Sequence, residues 1–252
     1  MLLPWQDKSD RGLSAWTVHT AAAAVNKVYG IPYDSPDRFC TPQRRRADAQ
    51  RSRGERVRDA HFSRTNNAEL IDFCRGTGLR RSELQNLRGK DLLTLDDVET
   101  MRGSANRTER TLAEDAVLCG QKSDYFVFVR NGKGGRPRLA PIIGKDAERI
   151  AGRIRDTLPD AKVWQHVHTS ADIHGYRAEY ATQMYKMYAR EISDIPYDKV
   201  NAGTGKRYQS DVYCCRKDEA GRKLDKAAML ICSKALGHNR ISVVADNYIR
   251  GL

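Results

Sequence analysis

The sequence predicts a mainly α (α+β) domain, a helical bundle with a small antiparallel β-sheet. Three observations carry this. Ile173, Tyr176, Tyr180, Met184 and Met187 recur at helical spacing and form one apolar stripe. YFVFV (125–129) is aromatic and β-branched, and RNGKGG then leads into a second extended run, RPRLAPII. The remaining apolar-periodic runs are short and bounded by glycine or proline.

In chain order, LSAWTVHTAAAAVNKVY (13–29) reads as a helix. Leu13, Trp16, Ala24 and Val28 are its expected apolar face, with Thr20 its semi-polar member, and Gly30 and Pro32 are its stop. PQRRRADAQRSRGERVR (42–58) carries seven arginines in seventeen positions and reads as a basic linker. Asn66, with Glu69 three residues on, is a capping-type start for the helix through AELIDFC, which Gly76 and Gly78 break. RRSELQNLR (80–88) is a second short helix, and TERTLAEDAVLC (108–119) a third. Asn131-Gly132 between two extended runs is a hairpin signal. Pro137 marks the second strand as an edge, and Lys133 falls on the tip. A helix follows Asp172. The segment 191–225 reads as a polar insertion, with a short hairpin around YQSDVYCC and a turn at 218–221. KAAMLICSKAL resumes a helix that Gly237 ends. Ser242 is the expected cap of the last helix, which runs through Tyr248, with Ile241 as its staple.

Composition narrows the function. The 252 residues hold 44 Lys and Arg against 32 Asp and Glu, a net charge of +12. A pI near 9.5 and this clustering favour a polyanionic partner, since neutralised phosphates release counterions. No run of about 18 apolar residues exists, so no membrane span is expected. MLLPWQDKSDRG is not a secretory signal, so a cytoplasmic, nucleoid-associated location is expected. The six cysteines lack zinc-ligand spacing and are expected to be reduced and mostly buried, with no metal site. No G-x-x-x-x-G-K-[ST], H-E-x-x-H or G-x-S-x-G motif occurs. GKGG leads into an extended run rather than a helix, so it is not a dinucleotide loop.

The residues with chemistry are Arg80 at a helix start after a glycine turn, Lys133 on the hairpin tip, His174 and Arg177 on one helical face, His238 after a helix end, and Tyr248 ten positions later. Singly, each has an ordinary structural explanation: a lone tyrosine on an amphipathic run usually packs in a core, and a lone arginine usually forms a surface ion pair. Together they form a phosphate-handling set, with arginine as the bidentate partner and tyrosine as a nucleophile.

TGLRRSEL, the strand–GKGG–strand hairpin, HGYRAEYAT and LGHNRISVVADNY, in this order, resemble the signature of tyrosine recombinases, the integrases of phages and conjugative elements. The resemblance covers residues 61–252, about three quarters of the chain. It implies that family's catalytic fold. It also implies site-specific breakage and rejoining of double-stranded DNA, with integration and excision of a mobile element, by a homotetramer on two DNA sites. Tyr248 would form a 3′-phosphotyrosyl bond and Arg80 and Arg177 would clamp the phosphate. Lys133 would protonate the leaving 5′-oxygen, His174 would assist proton transfer at the tyrosine, and His238 would hydrogen-bond the phosphate. Arg44, Arg45, Arg46, Arg51, Arg53, Arg81, Arg136 and Arg138 are the expected DNA contacts. Neither a metal nor ATP is implied, because fixed cations supply the electrostatics and the phosphotyrosyl link conserves the bond energy. A phenol ionises near pH 10 in water, so the pocket must help it.

Two departures from the family stand out. Arg177 and His238 lie 61 positions apart, wider than the family's short link, and 191–225 fills the gap as a DNA-contacting, protomer-contacting or merely solvated segment. Residues 1–60 hold one clear helix and the linker, resembling the remnant of a core-binding domain. Two rival readings follow, a DNA-binding relic without productive recombination and a type IB topoisomerase-like enzyme.

Overall fold

Helices and short strands alternate as the patterning predicts. The computed structural model describes residues 13–39, 41–43, 57–195, 211–216 and 219–249. The chain divides into two units, Met1–Ala49 with Lys217–Glu219, and Gln50–Arg216 with Ala220–Leu252.

In the first unit, α1 (Ala15–Val28) is capped by Ser14, whose side chain accepts from the Thr17 N–H. It buries Val18, Ala22 and Asn26. The expected face is therefore corrected: Leu13, Trp16, Ala24 and Val28 are exposed. Four consecutive alanines make several faces of this helix equally apolar, so the stripe had no unique direction.

The second unit contains the sheet and the other helices. Two short helices, α2 (Ala68–Thr77) and α3 (Arg81–Asn86), come first. β1 (Leu92–Thr94), α4 (Leu95–Arg102) and α5 (Arg107–Cys119) follow. β2 (Tyr125–Val129) and β3 (Arg138–Pro141) complete an antiparallel sheet of order β1-β2-β3, with Val127 opposite both Leu92 and Ala140. β3 is an edge, as Pro137 predicts. The left-handed turn residues between β2 and β3 are Gly134 and Gly135, not the Asn131-Gly132 pair. α6 (Ala147–Arg155) and α7 (Ile173–Tyr188) precede a second sheet, the β4 (Val212–Cys214) and β5 (Lys223–Asp225) hairpin within the insertion. α8 (Lys226–Ala235) and α9 (Ser242–Asn247) close the chain.

Two expected caps differ. Asn67, not Asn66, precedes α2, and its side chain makes no capping bond but donates to the Ser63 carbonyl at 2.8 Å. Ile241 precedes α9, so Ser242 is its first residue rather than its cap, and Tyr248 lies just past its end.

The apolar stripe of α7 divides between two cores. Ile173 and Tyr176 join Phe73, Leu84, Ile154 and Trp164. Tyr180 and Met184 join Met229, Cys232, Val244, Tyr248 and Ile249. A third core sits between α5 and the sheet, around Val98, Phe126 and Leu139. Cys74, Cys119, Cys215 and Cys232 are buried free thiols, and Cys214 is exposed. No described helix is long and apolar enough to cross a membrane.

Candidate active site

Each of these side chains is positioned by an identifiable local feature. α2 ends because Gly78 adopts φ +59°, a left-handed conformation that glycine reaches without strain. A Cβ there would also lie 2.3 Å from Tyr180 Cδ1, so only glycine fits. The turn aims the Gly78 carbonyl at α7, where it accepts from Arg177 Nη1. α8 ends at Gly237, φ +69°, where a Cβ would meet Arg138 Cδ at 2.8 Å. That ending turns the Leu236 carbonyl toward two arginines: it accepts from Arg177 Nη2 at 2.6 Å and Arg80 Nη2 at 3.4 Å. His238 is fixed by its N–H to the Ser233 carbonyl at 2.8 Å and by Ser233 Oγ, which donates to the His238 carbonyl at 3.0 Å.

Arg177, His238 and Tyr248 converge. Arg177 Nε donates to Tyr248 Oη at 3.3 Å, and His238 Nε2 lies 3.3 Å from the same oxygen. The His174 and His238 rings flank the Tyr248 ring, with centroids at 5.8 and 5.6 Å. Tyr248 therefore packs its ring in the second core while its hydroxyl meets one donor, Arg177 Nε, and the His238 Nε2 nitrogen. The pocket is closed: Arg177 is 1% exposed and Tyr248 7%.

Beneath Arg80 lies a buried ionic hub absent from the sequence reading. Glu83 accepts from Arg138 Nη1 and Nη2 at 2.8 and 2.7 Å, a bidentate pair. The same carboxylate accepts from the Arg80 N–H at 2.8 Å and Arg80 Nη1 at 2.7 Å. Arg138 Nε adds a bond to the Ala235 carbonyl at 3.1 Å. Burial opposes ionisation of Glu83, but the hydrogen bonds and charge of Arg138, the Arg80 N–H and the charge of Arg177 outweigh it, holding the carboxyl well below its usual range. Burial, followed by the charges of Arg138 and Arg80, lowers Arg177 to about 10, partly countered by Tyr248, so it stays cationic at neutral pH. Burial, then Arg177, Arg80, Arg138 and Lys133, lower His238 to about 4, so its imidazole is neutral at pH 7.

A small cleft of about 80 Å³ adjoins this pocket. Arg80, Lys133, Arg136, Lys234 and His238 line it, and Lys234 is paired with Asp115 at 3.0 Å. Lys133 and Arg136 are exposed on the β2–β3 hairpin. His174, in the first turn of α7, is exposed.

All six expected catalytic residues thus fall around one pocket and its cleft. The expected DNA contacts divide. Arg136 is exposed on the cleft. Arg138 is corrected to an interior residue, because β3 turns it inward onto Glu83. Arg81 is half-buried, and its guanidinium donates to the carbonyls of Val167, His168, Thr169 and Ala171, tying α3 to the loop before α7. Arg44, Arg45, Arg46, Arg51 and Arg53 lie outside the described residues. The one signal that could have found Glu83 is its position three residues after Arg80, the spacing of a helix-start carboxylate that reaches back to the cap. Comparison with protein-family models, with curated proteins and with solved structures found no match.

Proposed function

We propose that this protein is a tyrosine recombinase that breaks and rejoins double-stranded DNA through Tyr248, acting as a homotetramer on two sites to integrate and excise a mobile element. The observation that carries this reading is the convergence of Arg177, His238 and Tyr248, from three separated segments, beside a cation-lined cleft. A core tyrosine needs one hydrogen-bond partner for its hydroxyl; this one meets both a cation and a neutral imidazole, groups that can stabilise and deprotonate a phosphoryl-transfer nucleophile.

In the proposed reaction, Tyr248 Oη attacks a DNA phosphorus. The bond to the 5′-oxygen breaks and a 3′-phosphotyrosyl bond forms. His238 Nε2, neutral and 3.3 Å from Oη, accepts the phenolic proton. This refines the sequence expectation, which gave that role to His174 and a phosphate contact to His238. Arg177 and Arg80 neutralise the charge that builds on the non-bridging oxygens. Three of the five Arg177 N–H groups are occupied by Gly78, Leu236 and Tyr248, leaving two for phosphate. Lys133, on the exposed hairpin tip, supplies the proton to the departing 5′-oxygen, which leaves as the 5′-hydroxyl.

The test is covalent trapping on nicked duplexes tiled from the DNA flanking the gene. The reading predicts an SDS-stable protein–DNA adduct with the wild-type chain and none with Tyr248→Phe. Salt-sensitive binding without an adduct from either would overturn it in favour of a DNA-binding protein.

A further inference from the structure

We infer that the β4–β5 hairpin of the insertion is an intramolecular clasp that holds the Tyr248 segment closed through Arg222. Arg222 Nη2 donates to the Ile249 carbonyl, one residue beyond the tyrosine. The contact is built on a rigid base. Leu224 and Cys215, from and beside the two strands, share a core with Val244, Tyr248 and Ile249, and Ile249 is fully buried. Asp225, at the end of β5, accepts from Arg190 Nε and Nη2 at 2.8 and 2.9 Å, and its N–H donates to Tyr185 Oη at 2.9 Å. Tyr185 belongs to α7, the helix that carries Arg177. The clasp therefore fixes the segment after Tyr248 to the same helix whose arginine meets the tyrosine hydroxyl.

What it holds is a closed state. With Arg177 at 1% exposure and Tyr248 at 7%, no DNA phosphate reaches Arg177 until the tyrosine moves. The Tyr248 segment is short and suited to moving: α9 spans only Ser242–Asn247, and the Tyr248 and Ile249 N–H groups both share the Val244 carbonyl, at 2.9 and 3.1 Å. The Arg222 bond adds a charged hydrogen bond at the exit of this segment, beyond the core packing of Val244, Tyr248 and Ile249. This is a role for the insertion distinct from the DNA or protomer contact that its charge alone suggests. It rests on the proposed function only for its effect on DNA cleavage.

The test compares wild type with Arg222→Met. In the DNA-free protein, amide hydrogen exchange of the 243–249 peptide should accelerate about tenfold, the scale of one lost charged hydrogen bond, while α7 peptides keep their protection. Tyr248 nitration by tetranitromethane, read by peptide mass, should rise in parallel. With nicked duplexes the adduct should form faster than in wild type. If Arg222→Met loosens α7 as well, Arg222→Lys, which keeps a donor and its stem, takes its place with the same expectations at reduced size. Unchanged exchange and nitration at Tyr248 would overturn the clasp, as would a slower adduct with looser exchange, which would make Arg222 an activating brace. Absence of any adduct from wild type would sink the proposed reaction instead, while the exchange and nitration arms still decide the clasp.

Discussion

The two sides of the site are built on opposite principles. On the buried side, Arg177, Glu83, Arg138 and Tyr248 satisfy one another and a set of backbone carbonyls, and solvent barely reaches them. On the open side, Lys133, Arg136 and His174 stand exposed at a hairpin tip and a helix start. The cations of the buried side are held in place before any partner arrives, and it is Tyr248 that must move to admit charge to Arg177. The open side gains its purpose only from what enters the cleft. Substitutions on the first should therefore be felt by the folded protein, and substitutions on the second only by the reaction.

The largest expected effect is on the buried side. Arg138→Ala leaves the Glu83 carboxylate buried with its bidentate partner gone. Losing one member of such a pair costs about 3–5 kcal/mol, to be measured by urea unfolding. A loss below about 1 kcal/mol, typical of an exposed pair, would mean that the hub is no stability element and would break the comparison.

Next comes Lys133→Ala. Its stability should stay within about 0.5 kcal/mol of wild type, as for an exposed side chain. Adduct formation should fall by about 100-fold or more, the scale of a lost general acid. A substrate with a 5′-bridging sulfur, whose leaving group needs no proton, should restore the rate. An equal loss with that substrate would reassign Lys133 to binding.

The smallest expected effect is a pH dependence that separates the groups within the buried side. His238 titrates at about 4 when folded, against an ordinary value of 6.5. As pH falls through that window the unfolded chain takes up a proton that the folded one refuses, so stability drops. Glu83 acts lower. Its folded carboxyl ionises below the ordinary 4.5, so its contribution is intact above that value and is lost as pH falls toward its depressed folded value. Melting temperatures from pH 7 to pH 4.5 should decline in wild type and decline less in His238→Gln. Identical slopes would show that His238 is solvated rather than held neutral by burial and the neighbouring cations.

The sequence made the open side and most helices legible, left α4 and α6 unread, and hid the buried hub. α7 and YFVFV were readable because their periodicity or β-branching is dense. The site residues were readable because they cluster in short strings. Arg138 was misread because every residue of β3 is buried, so the strand has no inside–outside alternation to show which way a side chain faces. Glu83 gave only a helix-start spacing, since its partner lies 55 residues away in another element. Arg81 reads as one more surface cation until the 167–171 carbonyls are brought to it by the fold. β1 has three residues and falls below the length at which alternation carries information.

The most direct test of the central claim is the identity of the modified residue. After trapping on a nicked duplex and digestion of protein and DNA, peptide mass spectrometry would locate the attached nucleotide. The account predicts one site, Tyr248, joined through a 3′-phosphate, with a free 5′-hydroxyl on the released strand. A nucleotide on any other tyrosine, or a 5′-phosphate linkage, would contradict it.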